Sequence, residues 1–82
     1  MKTWNNKWLG MVKYNAIYRI LGIFYQYRIY WLSTPSISLS LDMPLEDVDR
    51  LVDDLLWSGC LDLYDGKYKI TAIGIKICDE YQ

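Results

Sequence analysis

Eighty-two residues suffice for one small domain. At 52% hydrophobic and 23% charged residues, the composition excludes a disordered chain, which needs low hydrophobicity and a large net charge. A formal net charge of -1 and the absence of histidine exclude a globally basic nucleic-acid binder, an imidazole-based catalytic centre and most zinc sites.

The charge is unevenly spread. Residues 1–41 hold Lys2, Lys7, Lys13, Arg19 and Arg28 and no acid, whereas residues 42–65 hold eight acids against Arg50 alone. Aromatic residues make up 16% of the chain, more bulk than so small a core can hide, so some are expected at a surface that meets a partner.

Residues 1–11 form a basic, aromatic lead-in with Trp4 and Trp8 on one apolar side. They lack a basic patch followed by an apolar run, so no secretory leader is expected. From Val12, apolar residues recur at Ala16, Ile17, Ile20, Leu21 and Phe24, which predicts a helix over 11–26. Gly22 inside it costs about 1 kcal/mol relative to Ala and points to close packing of another element there. The stretch 16–32 contains Arg19, Gln26 and Arg28 and is shorter than the ~20 apolar residues of a membrane span, so it reads as soluble core in a cytoplasmic protein.

"YRIYWL" (27–32) is aromatic and β-branched, which suits a short strand. Thr34 then serves as a helix cap with Pro35 in the first turn, and Ile37 and Leu41 lie four apart on a short second helix. Pro44 breaks the chain, and Pro44 or Leu45 opens a third helix with the stripe Val48, Leu51, Val52 and Leu55, stopped at Ser58-Gly59. Residues 60–70 alternate about Asp65-Gly66, a strong hairpin signal. Thr71 caps a last helix of about 72–81, with Ile73, Ile77 and Tyr81 facing inward. Trp57, off the main stripe, is expected to cover the base of the hairpin. Cys60 and Cys78 lack metal spacing and read as small apolar residues, a disulfide being the alternative.

Three segments carry a family resemblance. "ISLSLDMPLEDV" (37–48) resembles the turn of a helix-turn-helix, with Ile37 and Leu41 as apolar anchors, Ser38 at the small position and Asp42 where the family has Gly. "LVDDLLWSGCLDL" (51–63) resembles the end of a recognition helix, its Gly turn and a first wing strand. "GKYKITAIG" (66–74) resembles a second wing strand and the start of a last helix. In this order the chain resembles a winged helix-turn-helix domain of the MarR-like, PadR-like or archaeal and viral regulator type, over about residues 12–80. The resemblance implies an α+β fold, mostly helical with a small antiparallel β-hairpin wing, in one domain spanning 1–82.

It also implies DNA binding with the third helix in the major groove. Here that helix would present Glu46, Asp47, Asp49, Asp53 and Asp54, five carboxylates that repel phosphate. Arg50 has Glu46, Asp47 and Asp54 within helical pairing distance. The expectation is therefore a small DNA-binding transcriptional regulator whose contacts to double-stranded DNA come from Lys67 and Lys69 of the wing, from Arg28, from Lys13 of the lead-in and from Arg50. The acidic face reads most simply as an exposed, solvated surface that keeps a small domain soluble; the other functional reading is a protein-interaction module, its acidic helix with Trp4 and Trp8 docking a basic partner or mimicking the charge of DNA. Homodimerisation through the terminal helices is expected, and a small chain of this kind suits a virus, phage or plasmid. No cofactor, small-molecule substrate or metal is expected: Asp49 and Asp53 lie one turn apart but lack the loop ligands of a calcium site. The serine run Ser36, Ser38 and Ser40 has no base beside it, and no phosphate-cradling glycine loop occurs, so no enzyme activity is expected.

Overall fold

The computed structural model describes residues 16–80. It has the α+β layout expected: four helices among the described residues, with a two-stranded antiparallel hairpin after the third. Helix α1 covers residues 16–26, α2 Thr34–Leu41 and α3 Leu45–Trp57; strands β1 (Leu61–Tyr64) and β2 (Lys67–Ile70) follow, then α4, Ala72–Glu80. No helix among the described residues is long and apolar enough to cross a membrane.

The core is one cluster fed by every element but α4. Helix α1 contributes Ile20, Leu21 and Phe24, and α2 contributes Ile37. The stripe of α3 enters complete, as Val48, Leu51, Val52 and Leu55, and Cys60, Leu61 and Ile70 close the cluster from the hairpin. Helix α4 lies against this edge through half-buried Ile75, Ile77 and Cys78. No charged or polar residue among those described is buried, so the core is held by apolar burial, at about 25 cal/mol per Å2 removed from water.

The same left-handed closure ends both helices of the turn. After α2, the Met43 amide donates to the Ser38 carbonyl at 3.1 Å and the Asp42 amide to that of Leu39 at 3.4 Å, with Asp42 at φ 53°. After α3, the Cys60 amide donates to Leu55 at 3.0 Å and the Gly59 amide to Leu56 at 3.1 Å, with Gly59 at φ 87°. Both follow the pattern that satisfies orphan carbonyls at a helix end. Asp42 thus sits in the positive-φ position expected of it, which Asp tolerates better than most residues. The Ser38 hydroxyl donates to the Met43 carbonyl at 2.5 Å across this turn, which explains a small polar residue there. From α1, Arg19 donates to the Leu41 carbonyl at 3.1 Å and satisfies another group at the end of α2.

Several local expectations are corrected. Residues 27–30 are turn and bend rather than strand, and only Leu32 pairs, with Tyr68. Two mutual hydrogen bonds of 2.7 and 2.8 Å make that bridge, so it acts as a one-residue third strand. The cap of α2 is Ser33, whose hydroxyl oxygen accepts from the Ser36 amide, one residue before the expected Thr34. Trp57 does not cover the hairpin: it is 83% exposed. Ile73 does not face inward but is 55% exposed, because Gly74 takes the inner position of α4. Gly22 is exposed, and among the described residues none outside its own turn of helix stands within 4 Å of where a Cβ would lie. Cys60 and Cys78 are free thiols, Cys60 buried and Cys78 half-buried. Val12 and Tyr81 lie outside the described residues.

The close approach expected at Gly22 is found at Gly74. A Cβ there would stand 2.6 Å from the Cys60 carbonyl oxygen and 2.6 Å from Ile70 Cγ1. The hairpin turn follows its sequence, with Asp65 and Gly66 both at positive φ (53° and 75°), the signature of a type I′ turn. Gly74→Ala is expected to destabilise by about 1–3 kcal/mol from overpacking, less about 1 kcal/mol of helix propensity. Gly22→Ala is expected to stabilise by up to about 1 kcal/mol. Urea unfolding of the two variants should therefore move the midpoint in opposite directions.

Candidate nucleic-acid interface and acidic helix face

The hairpin places two of the expected cations together. In its register Asp62 stands opposite Lys69 and Tyr64 opposite Lys67, so these four side chains share one face, while Leu61 and Ile70 turn into the core. The Leu32–Tyr68 bridge brings Trp31 alongside. Lys69 Nζ lies 5.8 Å from the centroid of the Trp31 ring, and the Trp31 and Tyr64 rings are 6.0 Å apart at 57°. Lys67 is exposed and Lys69 half-buried. The face is thus aromatic and cationic, with Asp62 beside Lys69 and Asp65 at the tip.

Arg28 is held elsewhere. Its guanidinium lies 4.2 Å from the centroid of the Tyr25 ring and donates to the Tyr25 carbonyl at 3.0 Å. The Tyr25 hydroxyl in turn donates to the Asp79 carboxylate at 2.6 Å, tying the end of α1 to α4. That hydrogen bond, then desolvation and the carboxylate's charge, raise the Tyr25 phenol above its ordinary pKa of 10.0. Burial first, and then the Asp79 charge, push the Cys78 thiol up as well. Thiolate is therefore scarce at neutral pH, and Cys78 is not set up as a nucleophile.

Arg50 is paired, by Asp47 rather than by all three acids in reach: the ion pair spans 2.9 Å. Side-chain exposures of 64% and 41% make it a weak contributor to stability, in the range of about 0–1 kcal/mol. Its electrostatic effect is to turn the one cation of α3 toward a carboxylate. At about 100° per residue, Glu46, Arg50, Asp53 and Trp57 fall on the arc opposite the buried stripe, with Asp49 on one flank and Asp47 and Asp54 on the other. Glu46, Asp49, Asp53 and Asp54 are exposed and Asp47 is half-buried.

Part of this acidity has a local cause. Pro44 precedes α3 and supplies no side-chain cap, so Glu46 and Asp47 in the first turn answer the positive end of the helix dipole. Asp49 and Asp53 lie beyond that turn and gain nothing from it. No basic residue occupies the last turn.

The expected nucleic-acid and partner-binding residues therefore divide. Lys67 and Lys69 meet on the hairpin, Arg28 belongs to the α1–α4 contact, Arg50 to the acidic face, and Lys13, Trp4 and Trp8 lie outside the described residues. Trp31 and Tyr64 join Lys67 and Lys69 on this face and were not singled out from the sequence. The parity of Tyr64 with Lys67 and Lys69 was readable in the hairpin; the neighbourhood of Trp31 depends on a single long-range bridge. Comparison of the chain with protein-family models, curated proteins and solved structures finds no match.

The Tyr25–Asp79 contact carries a pH dependence. A phenol whose pKa is higher in the folded than in the unfolded chain supports folding below about pH 10 and ceases to as pH rises through its folded value. Tyr25→Phe should remove this component. Urea midpoints measured between about pH 8 and pH 11 are expected to fall less steeply for the variant than for the parent chain.

Proposed function

We propose that this chain is a small winged-helix regulator that binds DNA through its hairpin wing rather than through its third helix. The observation that carries the reading is the hairpin face itself, where Lys67 and Lys69 stand beside Trp31 and Tyr64. The order of helices and hairpin supports the family reading, since α2, the tight turn and α3 follow the helix-turn-helix plan and the hairpin follows directly. Helix α3 is an unsuitable reading helix. Phosphate contacts need cations, and its one cation is already engaged by Asp47. Binding through the wing does not require the acidic arc to meet the polyanion.

A second reading has its own observation. Asp49 and Asp53 gain nothing from the dipole at the start of the helix, and Trp57, 83% exposed, ends the same arc. An aromatic beside carboxylates suits a basic protein segment, with the aliphatic stem of a Lys or Arg against the ring. On this reading α3 recruits a partner while the wing holds DNA.

The first reading is tested by titrating a labelled random duplex at several salt concentrations. Affinity should fall with salt along a shallow slope of roughly 2 in log K against log salt, and replacing Lys67 and Lys69 by Ala should remove most of that slope. Absence of binding at about 20 mM salt would end the reading. The second is tested by Asp49→Lys with Asp53→Lys. Capture of a Lys/Arg-rich peptide should be lost and duplex binding should strengthen; an unchanged peptide titration would remove the docking role.

A further inference from the structure

The hairpin face carries more than charge. Trp31 is 40% exposed and Tyr64 72% exposed, and neither belongs to the buried cluster. Trp31 is nonetheless fixed in place, because the next residue, Leu32, exchanges both backbone hydrogen bonds with Tyr68. Trp31 is thus anchored beside the hairpin without a core role. With eleven buried apolar residues among those described, the fold gains little from leaving two large rings in water at adjacent positions.

We infer that the Trp31–Tyr64 face is a stacking site for unpaired bases of single-stranded DNA, with Lys67 and Lys69 taking the adjoining phosphates; this rests on the DNA-binding reading above. Sequence-tolerant single-strand recognition combines aromatic platforms with cations that follow the backbone. Both kinds of group are present within one pleat of the sheet. The rings meet at 57° rather than in parallel, so neither covers the face of the other, and Tyr64 keeps most of its ring in solvent. Lys69, lying over Trp31, shields part of that ring and sets its charge beside it. Tyr64 is therefore the ring left for a base. Lys67 stands directly opposite it, placed for the phosphate of the same nucleotide. Asp62 opposite Lys69 weakens the field there and directs the backbone toward Lys67. In a closed duplex every base face is already stacked within the helix, so the rings have nothing to receive. Unpaired DNA offers both groups at once.

The test uses the full chain and fluorescence anisotropy of two labelled probes, an oligothymidine of about 12 nucleotides and a closed hairpin duplex of similar charge. Tyr64→Ala is expected to weaken oligothymidine binding by roughly 5- to 150-fold, the equivalent of about 1–3 kcal/mol of stacking, while changing duplex binding little. Tyr64→Phe, which keeps the ring, should retain the parent affinity, and circular dichroism checks that both variants fold. If Tyr64→Ala leaves oligothymidine binding unchanged while loss of Lys67 and Lys69 weakens both probes, the stacking site is refuted and the wing still binds DNA. Equal weakening of both probes by Tyr64→Ala also refutes it. If neither probe binds the parent chain, the inference falls together with the DNA reading.

Discussion

The structure turns on a clasp between two chain reversals. Thr71 donates its amide to the Cys60 carbonyl at 2.9 Å and its hydroxyl to the Gly59 carbonyl at 2.6 Å. The same hydroxyl oxygen accepts from the Gly74 amide at 3.2 Å and so caps α4. Gly74 lacks a side chain where one would meet the Cys60 carbonyl. One threonine and one glycine therefore lock the end of α3, the start of β1 and the start of α4 into a single arrangement. The hairpin has only two strands, and such a unit is marginal by itself in water. Its orientation relative to α3 is set at this clasp and by the burial of Leu61 and Ile70. Which face of the hairpin reaches solvent, and so where Lys67 and Lys69 point, follows from it.

The two helix closures have a related consequence. The left-handed turn at Asp42 fixes how α3 leaves α2, and the one at Gly59 fixes how the chain leaves α3. Between them, α3 has no rotational freedom left, since Val48, Leu51, Val52 and Leu55 all occupy the core. Its outward arc is dictated by its inward stripe. The acids are consequently a property of the surface alone. Asp49 and Asp53 are exposed and outside the core, so the fold does not dictate their sign.

Much of this was legible in the sequence because the signals were local. The stripe of α3, the Asp65-Gly66 turn and the Thr71 cap each depend on residues within one or two turns of one another. What escaped depended on distant contacts. The segment 27–32 has strand-forming residues but finds a pairing partner at Leu32 alone, so propensity without a neighbouring strand produced turn. Trp57 falls on the arc of α3 opposite its buried stripe and stays in solvent, while Gly74 takes the inner position of α4 and leaves Ile73 outside. Gly22 and Gly74 look alike in sequence, and only the approach of the Cys60 carbonyl distinguishes them. For the candidate site, Lys67 and Lys69 were visible as a pair on alternate positions. Trp31, more than thirty residues away, reaches them through one bridge that no short-range pattern announces.

Charge counting then limits how the proposed binding works. Two lysines release counterions from about two phosphates, which confers only a shallow salt slope and weak affinity at physiological ionic strength. Asp62 and Asp65 stand on or beside the same hairpin face and reduce even that. Coulomb attraction at this surface is therefore insufficient by itself, and a ring contact of about 1–3 kcal/mol is comparable to everything the two cations supply. Where charge is scarce, stacking becomes the larger share of the binding energy, and bases free to stack become the better ligand. The acidic arc of α3 favours the same result, because it disfavours any pose that wraps a duplex around the helix and leaves the hairpin as the surface a strand can approach.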